Sequence, residues 1–340
     1  MQQNSVSPQY VAAELLAREQ WTNHDFGHAA GSARSAAEIA VAEGDPDSWW
    51  NMTFFQAECL LAAGEFEQCA FVASLLLSAP PVGGGQLHAR VRIMLSKAWQ
   101  GAGLLERAAD EAREAAELVA DEVDIEINVT ARLALVAALG ESGKVDDAWA
   151  ESLILADVIS AEVDDQLLGK AYWAIGNSAF LSGRVADGLQ YHELAATTFS
   201  PARNLHVWAK FNNASAAMRL AAEVADAATL RCIERAELAT DVIGGSEESM
   251  LLQKLNRGHW NYLAGDWTAA VEILEEVCCD TDGLPPQTLG EACLLLGRAQ
   301  KAIGDSAAAE QHLLAAAGHF DRAGAQQRGA LALEYLANEL

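Results

Sequence analysis

Apolar residues recur at spacings of three and four along most of the chain, with polar residues between them. This spacing places the apolar side chains on one face of an α-helix. A clear example is the run Ala108, Ala109, Ala112, Ala115, Ala116 and Val119. These segments are rich in helix-favouring Ala, Leu and Glu, and all seven prolines fall between them. The pattern predicts an all-α protein, because no strand-like alternation of useful length is present.

A short turn separates pairs of predicted helices about every forty residues. The turn centres are His24, Gly64, Gly103, Gly143, Gly183, Ala222, Gly265 and Gly304. Successive centres are 39 to 43 residues apart, so eight units fill the chain. Each unit is therefore predicted to contain two helices joined by one tight turn.

Two columns of mostly small residues support this register. Seven residues before the turn centres stand Ala17, Ala57, Ser96, Val136, Gly176, Ser215, Gly258 and Gly297. Five residues after them stand Ala29, Cys69, Ala108, Ala148, Gly188, Ala227, Ala270 and Ala309. Two helices approach closely only where neither presents a bulky side chain, so these columns are predicted to mark the helix crossings.

The pattern resembles the tetratricopeptide repeat, which has a small residue in its first helix, Gly at the turn and Ala in its second helix. The resemblance covers nearly the whole chain, although the family's unit of ~34 residues is shorter than this one. Longer units of this kind resemble the sensor arms of bacterial regulators, such as the maltose-system activator and the peptide-receptor regulators of Firmicutes. The resemblance implies a right-handed superhelical solenoid of about eight antiparallel helix pairs.

The chain is expected to form a single domain over residues 1–340. The Pro- and Gly-containing stretches 80–85 and 285–286 are interpreted as loops between units, because the forty-residue period passes through both. A helix at about 326–340 is predicted to cap the last unit with its apolar residues Ala330, Leu331, Leu333 and Leu336. Solenoids need such an end cap to cover the exposed core.

The resemblance also implies a concave groove lined by the first helices, at positions 13, 10, 6 and 3 residues before each turn centre. These four columns hold seven Lys or Arg against three acids, so a locally basic groove is predicted. The candidate groove residues are Arg90, Lys97, Lys170, Trp173, Asn177, Phe180, Asn212, Arg219, His259, Tyr262, Arg298 and Lys301.

Such a groove favours an acidic peptide or a C-terminal carboxylate, since Arg and Lys form charge-assisted bonds and aromatic rings supply apolar contact. Alternatively, the basic residues pair with carboxylates of neighbouring units and organise the solenoid. The carboxylate clamp of the family's chaperone-tail receptors is not reproduced, because Trp173 stands where that clamp has a basic residue. We expect a non-catalytic protein- or peptide-binding module, such as a sensor or adaptor in bacterial regulation. A small-ligand receptor arm and an oligomerisation scaffold remain open alternatives.

No arrangement of nucleophile and base or of paired carboxylates stands out, so no enzyme, metal or cofactor is predicted. His24 and His28 lie four residues apart but lack a third ligand. The acidic stretches 121–124 and 164–165 precede first helices and are predicted to cap them rather than to bind a cation. The adjacent Cys278 and Cys279 are interpreted as packing residues.

The net charge of −26, from 48 acidic and 22 basic residues, argues against nucleic acid or an anionic membrane as a partner. The first nine residues lack the basic and apolar segments of a leader, and no run of about eighteen apolar residues occurs. Six cysteines without metal-type spacing fit a reducing cytoplasm. The sequence therefore predicts a cytoplasmic, acidic protein with a protein or peptide partner, and leaves the oligomeric state open.

Overall fold

The computed structural model describes residues 7–78, 84–120, 124–159, 163–279 and 283–337, and within these ranges the chain is all-α. The helices are α1 (Pro8–Thr22), α2 (Phe26–Glu43), α3 (Pro46–Ala62), α4 (Phe66–Ser78), α5 (Gly85–Gly101), α6 (Leu105–Leu118), α7 (Ile125–Glu141), α8 (Val145–Val158), α9 (Asp165–Leu181), α10 (Val185–Thr198), α11 (Leu205–Ala221), α12 (Ala227–Ile243), α13 (Glu247–Leu263), α14 (Trp267–Cys279), α15 (Pro286–Ala302), α16 (Ser306–Arg322) and α17 (Gln326–Ala337). The first sixteen form eight successive pairs, as the turn spacing predicts. Parts of two predicted features, the loop at 80–83 and the acidic stretch at 121–123, lie outside the described residues.

The contacts divide the chain into two compact units, Met1–Ala195 and Ala196–Leu340. In the first unit, from α1 to α9, each helix packs against the next, and α3, α5, α7 and α9 also contact one another in order. In the second unit, from α11 to α17, each helix packs against the next, and α13 contacts both α11 and α15. The single domain over residues 1–340 stays a prediction.

Most of the predicted turn centres have the left-handed backbone that a tight turn requires. The positive φ values fall at His24, Gly64, Gly103, Gly143, Gly183, Gly265 and Gly304 among the predicted centres. At Gly183, with φ of 71°, the amide donates to the Phe180 carbonyl and the Arg184 amide donates to the Ala179 carbonyl. These bonds satisfy carbonyls at the end of α9, and glycine adopts this conformation at little cost.

The sixth turn corrects the predicted register by one residue. Glu223, not Ala222, has the positive φ, at 59°. The Glu223 amide donates to the Leu220 carbonyl and the Val224 amide donates to the Arg219 carbonyl, which is the bonding pattern of the other turns. Without a glycine to mark the left-handed position, the sequence did not distinguish the two residues. Every column position that is counted from this turn therefore shifts by one residue.

Side-chain caps begin many of the helices, and they include the two acidic stretches. The Asp124 carboxylate accepts from the amides of Glu126 and Ile127, and Asp164 accepts from Gln166. These contacts satisfy free N–H groups in the first turns of α7 and α9. The prediction that Asp124 and Asp164 cap helices is confirmed.

The small-residue columns lie where the paired helices cross. All eight residues of the first column are buried, and so are seven of the second. A Cβ atom at Gly297 would lie 2.8 Å from Leu313 Cγ and 3.2 Å from the Ala309 carbonyl oxygen, which shows how closely α15 approaches α16. The exception is Ala227, which is exposed. The connection between α11 and α12 is longer than the turns within the other pairs, so Thr229 is buried at this crossing instead.

The C-terminal helix α17 begins at the predicted residue Gln326, and residues 338–340 lie outside the described range. Its Leu331 and Leu336 pack on the core around Phe320, as expected. The other two predicted covering residues are wrong, because Ala330 and Leu333 are exposed. Ala332 and Tyr335 pack on that core instead.

Buried charge also links the two helices of a pair. Arg132 of α7 forms an ion pair with Glu151 of α8, and both side chains are largely buried. Arg132 also donates to the Asn128 side chain at 2.9 Å. Within the described ranges, no helix combines the length and the apolar character needed to cross a membrane.

Candidate functional site

A pocket of about 570 Å³ opens in the first unit, where the helices α1, α3, α5 and α7 contribute to one surface. All four are first helices of their pairs, as the predicted groove requires. Eight of its lining residues belong to the four predicted groove columns, and these are Trp21, Phe54, Glu58, Leu61, Arg90, Ile93, Lys97 and Thr130. The period of the repeat thus places side chains that are far apart in sequence around one cavity.

Aromatic and aliphatic side chains form the apolar part of this pocket. The Trp21 ring is held by contacts with Phe26 and Phe55, at centroid distances of 5.0 Å and 5.6 Å. The Phe54 ring stacks on Trp50 at 5.3 Å. Because Trp21 and Phe54 are fixed from behind yet remain partly exposed, they offer a preformed apolar surface to a ligand.

Charged residues face the same pocket. Burial raises the pKa of Glu58, and the positive charges of Arg90, Lys97 and Arg18 oppose this shift. Desolvation and the positive charge of Lys170 lower the pKa of Lys97, and Glu58 opposes this shift. The directions of both shifts show that these charges lie where water solvates them poorly.

Arg90 and Lys97 keep exposed surfaces. Neither forms a hydrogen bond or a close ion pair within the part of the chain that the structure describes. Their guanidinium and ammonium groups are therefore available to a carboxylate from outside the chain, for which they have suitable charge and donors.

The lining of this pocket, among the described residues, is not predominantly basic, whereas the four columns predict a basic groove along all eight units. It includes two cations, Arg90 and Lys97, against three acids, Glu58, Asp124 and Glu126. Asp124 and Glu126 belong to the start of α7 and fall outside the predicted columns. The site therefore carries both signs of charge, with the cations on α5 and two of the acids at the start of α7.

The other candidates of the first unit lie on α9. Lys170 is exposed and Trp173 is partly buried. The Asn177 side-chain oxygen lies 3.1 Å from His192 Nε2 on α10. Phe180 is only 9% exposed, and its ring meets His192 edge-on at 5.0 Å. The absence of a side chain at Gly188 leaves the space that the Phe180 ring fills, so Phe180 is a core residue and not a groove residue.

Two candidates of the second unit, Asn212 and Arg219, are buried rather than displayed in a groove. Asn212 is 0% exposed and donates to the Trp208 carbonyl, and Arg219 is 4% exposed with its nearest carboxylate, Asp226, at 3.8 Å. The reason is the one-residue shift of the sixth turn, which moves both away from the column to which they were assigned.

The remaining candidates of the second unit gather around Tyr335 of α17. Arg298 lies over the rings of Tyr262 and Tyr335, at 4.8 Å and 4.6 Å from their centroids. Lys301 donates to the Tyr335 carbonyl at 2.8 Å. The pKa of His259 is lowered to about 4, first by burial and then by the charges of Arg298 and Arg328. These contacts fix α17 on α15, so they account for much of this cluster structurally.

The two histidines near the first turn, His24 and His28, lie in different local structures. His24 occupies the left-handed turn position, and His28 pairs with the Asp25 carboxylate at 2.8 Å. In the described ranges, no group of three or more His, Cys, Asp or Glu side chains is arranged to hold a metal ion.

The sequence matches no family model, and a search of curated proteins finds no match. The structure is similar to a chain of the APC/C hetero-tetramer Cut9-Hcn1, with a TM-score of 0.61 and 12% identity. That alignment covers 92% of this chain and 54% of the other, so this chain spans about half the length of that relative.

Two further structures match over nearly their whole lengths. A Rap protein complexed with competence and sporulation factor aligns with a TM-score of 0.60 and 10% identity, covering 97% of each chain. Aspartyl phosphate phosphatase F from Bacillus subtilis aligns with a TM-score of 0.56 and 11% identity, covering 94% of this chain and 96% of the other. At these identities the likeness concerns the fold, which is that of a tetratricopeptide-like helical-repeat protein.

Proposed function

We propose that the pocket of the first unit binds a peptide or an extended segment of another protein. The observation that carries this proposal is the pair Arg90 and Lys97, which lies beside a preformed apolar surface and forms no hydrogen bond or close ion pair with any described residue. A binding site of this kind needs a few polar groups to orient the ligand and apolar contacts to hold it. Both side chains keep exposed surfaces.

The charges of the pocket define the ligand further. A ligand carboxylate, from an acidic side chain or a C-terminus, would form charge-assisted hydrogen bonds with Arg90 or Lys97. An apolar side chain next to that carboxylate fits against Trp21 and Phe54. The carboxylate of Glu126 at the start of α7 favours a cationic group elsewhere on the ligand. We therefore propose a ligand of mixed charge with one apolar anchor.

The structural neighbours support a binding role. The Rap neighbour was crystallised with competence and sporulation factor, and the Cut9 neighbour belongs to a hetero-tetramer with Hcn1. The tetratricopeptide-like fold thus occurs in proteins that hold a factor or a partner chain. We extend this role to the present chain as a non-catalytic sensor or adaptor.

A small-ligand receptor is the second candidate, and the volume of the pocket favours it. About 570 Å³ lies within the range of ~300–1,000 Å³ that small-molecule sites occupy. Native mass spectrometry of the purified chain separates the two candidates. A bound compound of defined mass that is lost from Arg90→Glu favours the small-ligand role.

The peptide proposal is tested by selecting ligands from a random peptide library with the full chain as bait. Enriched peptides are expected to share a carboxylate next to an aromatic or aliphatic residue. Their affinities are then measured for the wild type, Arg90→Glu and Lys97→Glu. Loss of a charge-assisted bond of about 1.5–3 kcal/mol corresponds to a roughly ten- to hundredfold weaker affinity.

Arg34→Glu is the matched control for Arg90→Glu. It makes the same change of charge in the same unit, but Arg34 lies on α2, outside the pocket lining, with its side chain 66% exposed. The proposal requires unchanged affinity in this variant. Equal weakening by Arg34→Glu and Arg90→Glu would show that only the overall charge matters, and unchanged affinity in all three variants would remove the pocket from consideration.

A further inference from the structure

Two cysteines from different helices meet in the second unit. Cys278 lies in the last turn of α14 and Cys293 lies in the middle of α15, and their sulfur atoms are 3.5 Å apart. Both are free thiols. Cys278 is adjacent to Cys279 in the sequence, but the cysteine that it contacts lies fifteen positions further along the chain.

The two thiols have different surroundings. Cys293 is only 3% exposed, whereas Cys278 is partly exposed. The hydrogen bond between the two sulfur atoms lowers the pKa of Cys293 against the effect of burial, and the positive charge of Arg322 lowers it further. The same hydrogen bond raises the pKa of Cys278. The pair therefore combines a buried sulfur whose pKa is lowered with a neighbouring thiol that is partly exposed.

Other cysteines of the chain do not share this environment. Cys59 and Cys69 are completely buried, and burial raises the pKa of their thiols to about 12 and about 11. Cys279 is exposed but points away from the pair as the next residue on the helix. These three thiols provide internal references for a reaction that depends on proximity rather than on exposure.

We propose that Cys278 and Cys293 form a site of reversible oxidation, at which a peroxide converts the two thiols into an intramolecular disulfide. In the first step, a thiolate attacks the peroxide, the O–O bond breaks, and a sulfenic acid and water are produced. In the second step, the other sulfur attacks the sulfenic sulfur and displaces its hydroxyl, which leaves as a second water. Two thiols and one hydrogen peroxide thus give one disulfide and two waters.

The two sulfur atoms need to move only a short distance to form the bond. An S–S bond is about 2.05 Å long, so the sulfur atoms must move together by roughly 1.5 Å. The bond joins α14, the second helix of one pair, to α15, the first helix of the next. Oxidation would therefore tie together two helix pairs of the second unit, including the helix that carries Arg298 and Lys301.

The test treats the reduced, full-length chain with hydrogen peroxide and blocks the remaining thiols by alkylation. The protein is then digested without reductant and analysed by mass spectrometry. The expected product is one linked peptide pair containing Cys278 and Cys293, from a monomer that is lighter by two hydrogen atoms before alkylation. In a sample that is not alkylated, dithiothreitol should restore the original mass and thiol count.

Cys279→Ser is the matched control, because it removes the exposed neighbouring thiol and should leave the disulfide yield unchanged. Cys278→Ser and Cys293→Ala should each abolish the linked peptides, and circular dichroism of the reduced variants verifies that they fold. The oxidised wild type should also unfold at a higher denaturant concentration than the reduced protein, and this shift should be absent in Cys278→Ser.

Recovery of Cys278 and Cys293 as separately alkylated thiols after peroxide treatment would overturn the proposal. The same conclusion would follow from linked peptides that contain Cys279 in place of Cys278, or from a disulfide found only between two copies of the chain. Because these residues lie outside the pocket of the first unit, either outcome leaves the proposed ligand site untouched.

Discussion

The close helix crossing at Gly297 gives a prediction whose size follows from the structure. In Gly297→Ala, the new methyl group would lie 2.8 Å from Leu313 Cγ and 3.2 Å from the Ala309 carbonyl oxygen. Contacts at these distances force α15 and α16 apart or push Leu313 from its rotamer. Such overpacking costs about 1–3 kcal/mol, whereas alanine in a helix interior is more favourable than glycine by about 1 kcal/mol. The net expectation is a loss of about 0–2 kcal/mol.

Gly318→Ala is the control, since this glycine is an exposed residue within α16 and has nothing within 4 Å of the added methyl group. Here only the helix preference acts, so the variant should gain about 1 kcal/mol. The two variants therefore differ by about 1–3 kcal/mol despite the identical chemical change.

Urea unfolding followed by far-ultraviolet circular dichroism measures this difference through the shift of the transition midpoint at constant slope. Equal stabilisation by Gly297→Ala and Gly318→Ala would refute the reasoning. It would mean that the small-residue column does not mark a close crossing of helices.

Three further predictions concern single residues. Glu223→Gly should stabilise the chain by about 1 kcal/mol, because a non-glycine residue at φ of 59° is strained. Ala222→Gly should give no such gain, and urea unfolding measures the stability of both variants. The pKa of His259 is about 4 in the folded protein and about 6.5 in the unfolded chain, so the free energy of unfolding should be at its full value above pH 6.5 and fall by on the order of 3 kcal/mol as the pH drops to 4. The variant His259→Gln should show a flatter pH profile of stability. An equally steep fall in this variant would contradict the assignment. Glu151→Ala should cost about 2–4 kcal/mol, because it leaves Arg132 largely buried without its carboxylate; a double-mutant cycle with Arg132→Ala measures the coupling, which should exceed that of an exposed pair.

Much of the fold can be predicted from the sequence because the repeat uses residues with a strong backbone or packing preference. Glycines such as Gly183 mark left-handed turns, and small residues such as Gly297 mark crossings. The prediction fails at Ala222, where no glycine identifies the left-handed residue. A one-residue error on a helix rotates the expected face by about 100°, which explains why Arg219 is buried.

The candidate site is only partly predictable, because column positions describe helix faces and not the loops and partner side chains around them. The columns correctly bring Arg90 and Lys97 to one surface with Trp21. They miss Glu126, which enters the pocket from the start of α7, and Tyr335, which reaches Arg298 from the capping helix. Glu126 lies outside the four columns and Tyr335 lies in the helix that follows the eight pairs, so the columns carry no signal for them.

Photo-crosslinking of a selected peptide tests the central claim most directly, because it locates the ligand without reference to affinity. The peptide carries a photoreactive group at its apolar anchor, and the labelled residues of the chain are identified by mass spectrometry. The account predicts labels on α1, α3 and α5, near Trp21, Phe54 and Met94, and far fewer labels in Arg90→Glu at the same peptide concentration. Labels confined to second helices or to residues 196–337 would contradict it.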